Sequence, residues 1–465
     1  MSPAARKHRE RIENAERLCS HGSAALRRTA LEIATAGLAA CDGYAATVDA
    51  VARSERGITV GGVEHELAPG ARLIVLGAGK ATLPIALALE DVLGDRIDGG
   101  AIVLRRGVEA ELDRLEVMIA DHPLPSAASE AAARRLLELA DGLGPDDLVL
   151  ACFTGGSSAL ACLGPEGVQL ADKRELHAQL LGAGMPIRQV NAVRKHVSEV
   201  KGGRLAARIA PARTVNLTVS DAAGDRLDVI TDLTVPDTST TEDAISILHR
   251  HGLWDAVPTA VARHLSGAGP CSPESPRLDV GRIWTELLVT GQTACEAMVA
   301  RGEELGLATV ILTTTMEGEA RELGRFVADL CRSSAKRGYP FQPGAVLVAC
   351  GGESSVRLEP GTAFGGGGGP GQEAAAAAAL ALEGEPVVAI FMDTDGSDGG
   401  TDAAGAIADG ETAGRARELG LDLDAALHAH RVRLPLADLD DLVFTGPTGT
   451  NVNDLIVLAI GERED

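Results

Sequence analysis

Aromatic side chains are nearly absent from this chain of 465 residues: Phe, Tyr and Trp together make up 2% of it. The cores must therefore be built from Ala, Val, Leu and Ile, and the stacking platforms used by single-strand nucleic-acid binders are scarcely available. Positive charge is also short. With 43 Lys and Arg against 66 Asp and Glu the formal net charge is −23, which argues against nucleic acid or an anionic membrane as a partner. No apolar run reaches the roughly 20 residues that a membrane span needs. The charged amino-terminal stretch MSPAARKHRERIENAERLC lacks the apolar core of a signal peptide. The eight cysteines form no C-x-x-C pair, so neither a zinc nor a disulfide framework is expected, and reduced thiols in a cytoplasmic protein fit the pattern. Cys152 and Cys350 end apolar runs and read as core residues.

What is present is ample apolar material, 45% of the chain, in a length that predicts two domains. After a helical region at about 8–53, strand-sized apolar runs alternate with helix-patterned stretches. They lie at 72–76, 101–104, 117–120, 148–153, 215–219, 308–313, 345–350, 387–392 and 455–460. Continuous Val/Ile/Leu runs followed by glycine turns and helices predict buried parallel strands in α/β sheets. The Pro, Ser and Gly content of 264–282 marks the domain boundary, giving domains 1–270 and 271–465 with the last strand free to return to the first. The glycine tract from Gly365 to Gly369 is expected to be a mobile loop.

Six polar or glycine clusters adjoin these runs, five following a run and one preceding the last. Asp393, Asp395, Asp398 and Asp402 crowd a glycine-rich turn, which raises its electrostatic energy unless cations or donors answer it. The turn is not an EF-hand loop, because its sixth position is Asp398 and its twelfth is Ala404. Gly77-Ala78-Gly79-Lys80 lets a backbone approach an anion at a helix start, with Lys80 as a point charge. It is neither a Walker A loop nor a full dinucleotide fingerprint, whose third glycine is here Thr82. Thr154-Gly155-Gly156-Ser157-Ser158 offers hydroxyls and amides but is not a G-x-S-x-G elbow. Residues 186–213 hold seven Lys or Arg against Glu199 alone, an inversion of the chain's charge that points to an anionic ligand. There Val190, Val193, Val197 and Val200 predict one apolar helical face, leaving Asn191, Arg194, Lys195, Ser198 and Lys201 on the others, with Gly202 and Gly203 ending the helix. His196 and His122 read as locally hydrogen-bonded. Asp221 and Asp225 are spaced to hold Mg²⁺ directly or through water. Ser239 and Glu242 predict a capping box, and Glu353, Thr448 and Asn451 complete the clusters. Each cluster alone is also an ordinary turn; the edge they share is where α/β sheets bind ligands.

Taken in order, VLGAGKA, DHPLPSAAS, NAVRKHVSEVKGGRLA, SDAAGD, TVPDTST, GGESSV, DTDGSDGGTDAAGA and TGPTGTNVNDL resemble the glycerate 2-kinase family with a MOFRL carboxyl-terminal domain, over roughly residues 15–460. Members are often labelled hydroxypyruvate reductases. The resemblance implies an α/β enzyme of two domains, a Rossmann-like parallel-sheet amino-terminal domain and an α/β MOFRL-type domain, with the active site in the cleft between them. It implies transfer of the γ-phosphate of ATP, with Mg²⁺, to the 2-hydroxyl of D-glycerate or a related small hydroxy acid or polyol, and a homodimer is an assembly this reading allows. Lys80 occupies the place of the family's active-site lysine. Lys80, Asp221 and Asp395 are the expected catalytic residues. Gly77, Gly79, Ser157, Ser158, Asn191, Arg194, Lys195, Lys201, Glu353, Thr448 and Asn451 are expected to bind substrate or phosphate, and Asp221 and Asp225 the metal. The chain departs from the family at three places. Thr154-Gly155-Gly156-Ser157-Ser158-Ala159 replaces S-G-G-G-S-A, and Thr231-Asp232 begins the segment that normally reads S-G-P-T-V-P-D. Pro370-Gly371 stands where G-G-R-N-Q-E has its arginine and asparagine. The last departure keeps open a catalytically silent member that binds an anionic metabolite; NAD(P)H-dependent reduction of hydroxypyruvate is the third reading.

Overall fold

The computed structural model describes residues 12–183, 185–230, 233–357 and 367–462. Two compact units emerge: Gly43–Ser220 with Asp225–Leu288, and the residues up to Asp42 with Asp221–Gly224 and everything from Val289. The expected division at 270 and 271 therefore differs from the observed one. The segment 264–282 is not a free linker, because polar groups of the amino-terminal unit hold it. Arg204 donates to the carbonyls of Pro273 and Glu274 at 3.0 Å, and Ser275 donates to Asp237 Oδ2 at 2.7 Å. Thr231, Asp232, Gly365 and Gly366 lie outside the described residues.

The amino-terminal unit opens with a small antiparallel sheet of β1 (Val51–Arg53), β2 (Gly57–Val60) and β3 (Val63–Glu66). This replaces the end of the predicted helical region, whose described part forms helices Ala15–Leu18, Ala24–Ala40 and Gly43–Ala50. Its main sheet contains β4 (Leu73–Ala78), β5 (Gly99–Arg105), β6 (Glu116–Ala120), β7 (Leu148–Phe153), β8 (Arg213–Val219) and β9 (Ile283–Val289), in the order β6-β5-β4-β7-β8-β9. The pairs from β6 through β8 are parallel. Every residue of β4 and β7 is buried, as their unbroken apolar sequences require. The strand order reverses between these two, which makes their carboxyl ends the binding crevice of the sheet.

The carboxyl-terminal unit contains β10 (Thr309–Met316), β11 (Val346–Gly351), β12 (Val387–Asp393), β13 (Gly405–Asp409), β14 (Leu442–Val443) and β15 (Asp454–Ile460), in the order β10-β11-β15-β12-β13-β14. Only β10 and β11 pair in parallel; the other neighbours are antiparallel. Continuous apolar sequence reports burial on both faces and says nothing of direction, which is why the expectation of parallel strands fails here. Nor does the last strand return to the first domain, since β15 runs between β11 and β12 in the middle of this sheet.

Without aromatics, the core closes by bringing backbones together. In the helix Pro370–Leu382 the run Ala374–Ala379 is wholly buried. The neighbouring helix Ala320–Arg337 presents Gly324, where a Cβ would lie 2.2 Å from the Ala374 carbonyl oxygen. On another part of the unit the helix Ala24–Ala40 packs against β12 and β15, and its anchor is ionic. Arg27, 0% exposed, donates to Asp409 at 2.5 Å, to Asp441 at 2.7 Å and to the Leu18 carbonyl at 3.1 Å. Arg415 donates to Asp441 at 2.6 Å. Burial alone would raise the Asp409 carboxyl, but the Arg27 charge and hydrogen bond hold it below the usual carboxylate range. Removing the guanidinium leaves Asp409 buried against lost charge. Arg27→Met is expected to cost about 3–5 kcal/mol of stability in denaturant titration.

Candidate active site

Two turns meet at the reversal of the first sheet. Parallel pairing aligns Ala78 with Phe153, so the turn after β4 lies against the turn after β7. The Thr154 hydroxyl accepts from Ala81 N–H at 3.1 Å, Thr154 N–H donates to the Ala78 carbonyl at 3.0 Å, and Lys80 N–H donates to the Gly155 carbonyl at 2.8 Å. The glycines follow from this crowding. A Cβ at Gly77 would lie 2.9 Å from the Cys152 carbonyl oxygen, and at Gly79, with φ +145°, 2.0 Å from the Thr154 hydroxyl. Thr82, in the third fingerprint position, donates to the Cys152 carbonyl at 2.9 Å and begins the helix Thr82–Leu93. A Cβ at Gly156, which has φ +88°, would lie 3.2 Å from the His122 ring and 3.4 Å from Cγ of Lys80. Lys80, His122 and the serine turn are thereby gathered in one place.

The basic segment supplies the next layer. The helix covers Ile187–Lys195 and stops at His196. It is shorter than expected; Gly202 and Gly203, both with positive φ, introduce the next helix, Arg204–Ile209. Its four valines are buried as predicted, but so are Asn191, Lys195, Ser198 and Lys201. The segment is no surface helix. Lys195 pairs with Asp237 at 3.3 Å, and His196 shares hydrogen bonds with the Pro273 carbonyl at 2.8 Å and Ser239 at 3.3 Å. The capping box of the following helix uses Thr240 and Asp243, one residue beyond the expected Ser239 and Glu242.

Lys201 instead donates to the Ser158 hydroxyl. These two, with Pro125, Cys162, Lys173, Leu176, His177 and Arg194, line a small cavity. Lys173 and His177 come from the helix Leu170–Gly182, and the Lys173 ammonium donates to the Val197 carbonyl at 2.5 Å. Burial pushes the His177 imidazole down to about 3, with Arg194, Lys201, Lys173 and His122 acting in the same direction. Lys173 and His177 were not found from sequence, since their helix is strongly polar without any inversion of charge to mark them.

In the carboxyl-terminal unit, β11 and β12 both run antiparallel to β15, so their carboxyl ends share an edge with its amino end. The register pairs Asp393 with Asp454. Three expected clusters, at Gly351–Glu353, the aspartate turn and Thr445–Asn451, therefore adjoin one edge. Thr448 donates to the Thr394 carbonyl at 2.5 Å, Asn451 donates to Asp221 Oδ2 at 3.2 Å, and Asn453 donates to the Asp221 carbonyl. Asp221 is thus seated beside this loop. Asp225 has φ +53° in the same turn, and Glu353 is exposed. Among the described residues no group of three His, Cys, Asp or Glu side chains is arranged to hold a metal.

The four aspartates have separate tasks. Asp393 accepts from Asp395 N–H at 2.9 Å and Asp395 from Ser397 N–H at 2.8 Å, each shaping the turn. Asp402 pairs with Arg433. Asp398 is 2% exposed and accepts from Gly371 N–H at 3.0 Å and Gln372 N–H at 2.9 Å, capping the helix that Pro370 begins. Gly369 precedes that helix, and Gly367 accepts from Arg433 N–H at 2.9 Å, so the described end of the glycine tract is anchored rather than loose. Burial, abetted by Asp454, pushes Asp398 up to about 7, and burial likewise pushes Asp454, which accepts from Ser354, up to about 7. A carboxyl raised in the folded state keeps its proton where the unfolded chain has lost it, so its contribution to stability is lost as pH rises from about 4 to 7. Thermal melts across that window should show a smaller fall in stability for Asp398→Asn than for the parent.

A family model described as a domain of unknown function, DUF4147, matches residues 29–266, and the MOFRL family matches residues 346–454. The chain is 37% identical over 440 residues to the glycerate 2-kinase of Pyrococcus horikoshii, covering 94% of this chain and 98% of that protein. It is 30% identical over 446 residues to the human glycerate kinase, covering 84% and 85%. The crystal structure of glycerate kinase from Thermotoga maritima matches with a TM-score of 0.78 at 36% identity, covering 94% of this chain and 99% of that one. Sequence, domain pair and fold agree: the chain belongs to the glycerate 2-kinase family with a MOFRL carboxyl-terminal domain, a family of phosphotransferases with an alcohol acceptor.

Proposed function

We propose that this protein transfers the γ-phosphoryl group of ATP to the 2-hydroxyl of glycerate or a closely related hydroxy acid. The observation that carries this reading is the gathering of Lys80, the serine turn, Arg194 and Lys201 at the reversal of a parallel sheet, in a chain related to glycerate kinases. Phosphoryl transfer asks a protein for positioning and charge neutralisation more than for covalent chemistry. Lys80 is assigned to the transferring phosphoryl group. Gly77 and Gly79 keep the backbone there close, and Ser157 and Ser158 supply polar groups beside it; Asn191 is buried in the helix that carries Arg194. Lys195, committed to Asp237, supports the site by holding that loop rather than by touching an anion. Asp395, expected from the sequence to be catalytic, lies in the carboxyl-terminal unit, where Thr448 donates to the carbonyl of the preceding Thr394.

Mg²⁺ accepts one or two carboxylates together with substrate phosphates, and a partly exposed Asp221 oriented by Asn451 fits that demand. The turn carrying Asp221 and Asp225 is where we assign the metal, which would neutralise charge on the nucleotide phosphates. For Lys80→Ala, kcat/KM for D-glycerate in an ADP-release assay should fall by about 10²- to 10³-fold. Retained turnover would remove Lys80 from its assigned role, and oxidation of NADH with hydroxypyruvate in place of ADP release would replace the kinase reading altogether.

Pro370 and Gly371 support a second reading, a member that binds its ligand without turnover. They are the first residues of their helix, where the family resemblance places arginine and asparagine. Restoring the pair is tight: a Cβ at Gly371 would lie 3.3 Å from the Phe391 carbonyl oxygen and 3.4 Å from Asp398, so these neighbours must give slightly. If the parent turns over glycerate weakly for want of that arginine, Pro370→Arg with Gly371→Asn should raise kcat by at least tenfold. An unchanged kcat would mean that this position does not limit the reaction.

A further inference from the structure

We propose that Arg204 is a positioning residue of the active site: its guanidinium fixes both ends of the segment 195–201, and through that segment the contact of Lys201 with Ser158 in the serine turn. The inference rests on the phosphotransfer reading and adds to it a residue that reaches the site only through another side chain.

The segment lies between two helices. Ile187–Lys195 ends where it begins, and Arg204–Ile209 starts beyond it. Carbonyl groups at a helix end have no partner within the helix, so something else must hold the chain there. Arg204 does so. Its Nη1 donates to the Lys195 carbonyl at 3.0 Å and to the Lys201 carbonyl at 3.1 Å, so that one nitrogen joins the two ends of the segment. Its Nη2 donates to the Pro273 and Glu274 carbonyls at 3.0 Å each. Four carbonyls thus engage the terminal nitrogens of one planar fork, an arrangement that an ammonium with three donors cannot copy.

Asp237 and two glycines close this clamp. The Asp237 carboxylate accepts from the Ser275 hydroxyl at 2.7 Å and pairs with Lys195 at 3.3 Å, which ties the residues after Pro273 to the same segment a second time. Gly202 follows Lys201 with φ +63°, and a Cβ there would lie 2.6 Å from the Ser275 hydroxyl and 3.1 Å from Nη1 of Arg204. At Gly203, with φ +76°, it would lie 2.7 Å from Cδ1 of Leu278. A side chain at either glycine would force the clamp open.

What the clamp holds is Lys201. This lysine is 1% exposed, and its ammonium donates to the Ser158 hydroxyl. Ser158 lies two residues after Gly156, where a Cβ would meet Cγ of Lys80 at 3.4 Å. The bonds of Arg204 go to residues 195, 201, 273, 274 and, at 3.5 Å, to the Ser275 hydroxyl. None goes to the serine turn, so its influence on phosphoryl transfer runs through Lys201. A reaction that depends on alignment loses rate steeply when a group shifts by about an ångström.

A double-mutant cycle and amide hydrogen exchange on the full-length protein, with ATP and D-glycerate, check this. Arg204→Lys keeps the charge but cannot serve four carbonyls, and should lower kcat/KM by about 10- to 100-fold. In a Lys201→Met background the same substitution should change kcat/KM by less than about twofold, because the side chain through which it acts is gone. Where turnover is too slow to measure, the affinity for D-glycerate by titration calorimetry is read through the same cycle. Exchange should quicken in the amides of 195–203 while β4 and β7 stay protected. Should Arg204→Lys fail to fold, Ser275→Ala, which removes the hydroxyl that Asp237 holds, carries the same cycle with the same coupling expected. Equal fold losses with and without Lys201, an unchanged kcat/KM, or exchange that quickens throughout the amino-terminal unit overturns the assignment. If exchange quickens in 195–203 alone and the affinities couple, yet the parent releases no ADP with any hydroxy acid, the kinase reading fails and the clamp stands. If the parent turns over glycerate and the losses are additive, the clamp fails and the kinase reading stands.

Discussion

The close approach of the turns after β4 and β7 is the constraint on which the amino-terminal unit's site depends. Parallel pairing in register brings Ala78 and Phe153 side by side, and the Thr154 hydroxyl then sits where any side chain at Gly79 would be, 2.0 Å from a would-be Cβ. Backbone hydrogen bonds from Thr154 to Ala78 and from Lys80 to Gly155 lock the two turns as one object. Lys80, His122, Ser157 and Ser158 are consequently held by a rigid sheet edge, which suits a reaction whose catalysis rests on positioning.

The carboxyl-terminal unit reaches a comparable result with different topology. Its aspartate turn follows one strand, while the loop bearing Thr448 and Asn451 precedes another. Because β15 is antiparallel to both β11 and β12, a loop before it lies on the same edge as loops after them. The Thr394 hydroxyl, which donates to the Asn453 carbonyl at 2.9 Å and accepts from Val452 N–H at 2.8 Å, then ties the aspartate turn to that loop.

Charge is distributed against the average of the chain. Acidic excess faces solvent, and several buried acids are held by cations or backbone donors, as Asp409 and Asp441 are by Arg27 and Asp398 is by the start of a helix. Of the buried cations of the amino-terminal unit, Lys173 and Lys201 line one small cavity while Lys195 pairs with Asp237. A surface rich in negative charge repels the anionic substrate in general, so a concentrated cationic interior is needed to bind it in one place.

Much of this was legible in sequence. All nine predicted strands exist within a few residues, because buried strands require unbroken apolar runs, and the family was carried by motifs such as VLGAGKA and TGPTGTNVNDL. The strands at 51–66, 283–289, 405–409 and 442–443 were missed, being short, half-exposed or rich in small residues. Local sequence also determined that the turns around Lys80, Ser158, Asp221, Asp395 and Asn451 would end or begin strands. Only the tertiary structure decided which of their charges are spoken for. Lys195 and Lys201 lie six residues apart in one basic segment, yet one is paired with Asp237 while the other faces Ser158. Asp398 and Asp395 occupy one turn, yet only Asp398 caps a helix. Spacing along a chain sets which residues share a segment; whether a charge meets a counter-charge, a helix end or a cavity depends on what other segments bring to it, as the helix carrying Lys173 and His177 does here.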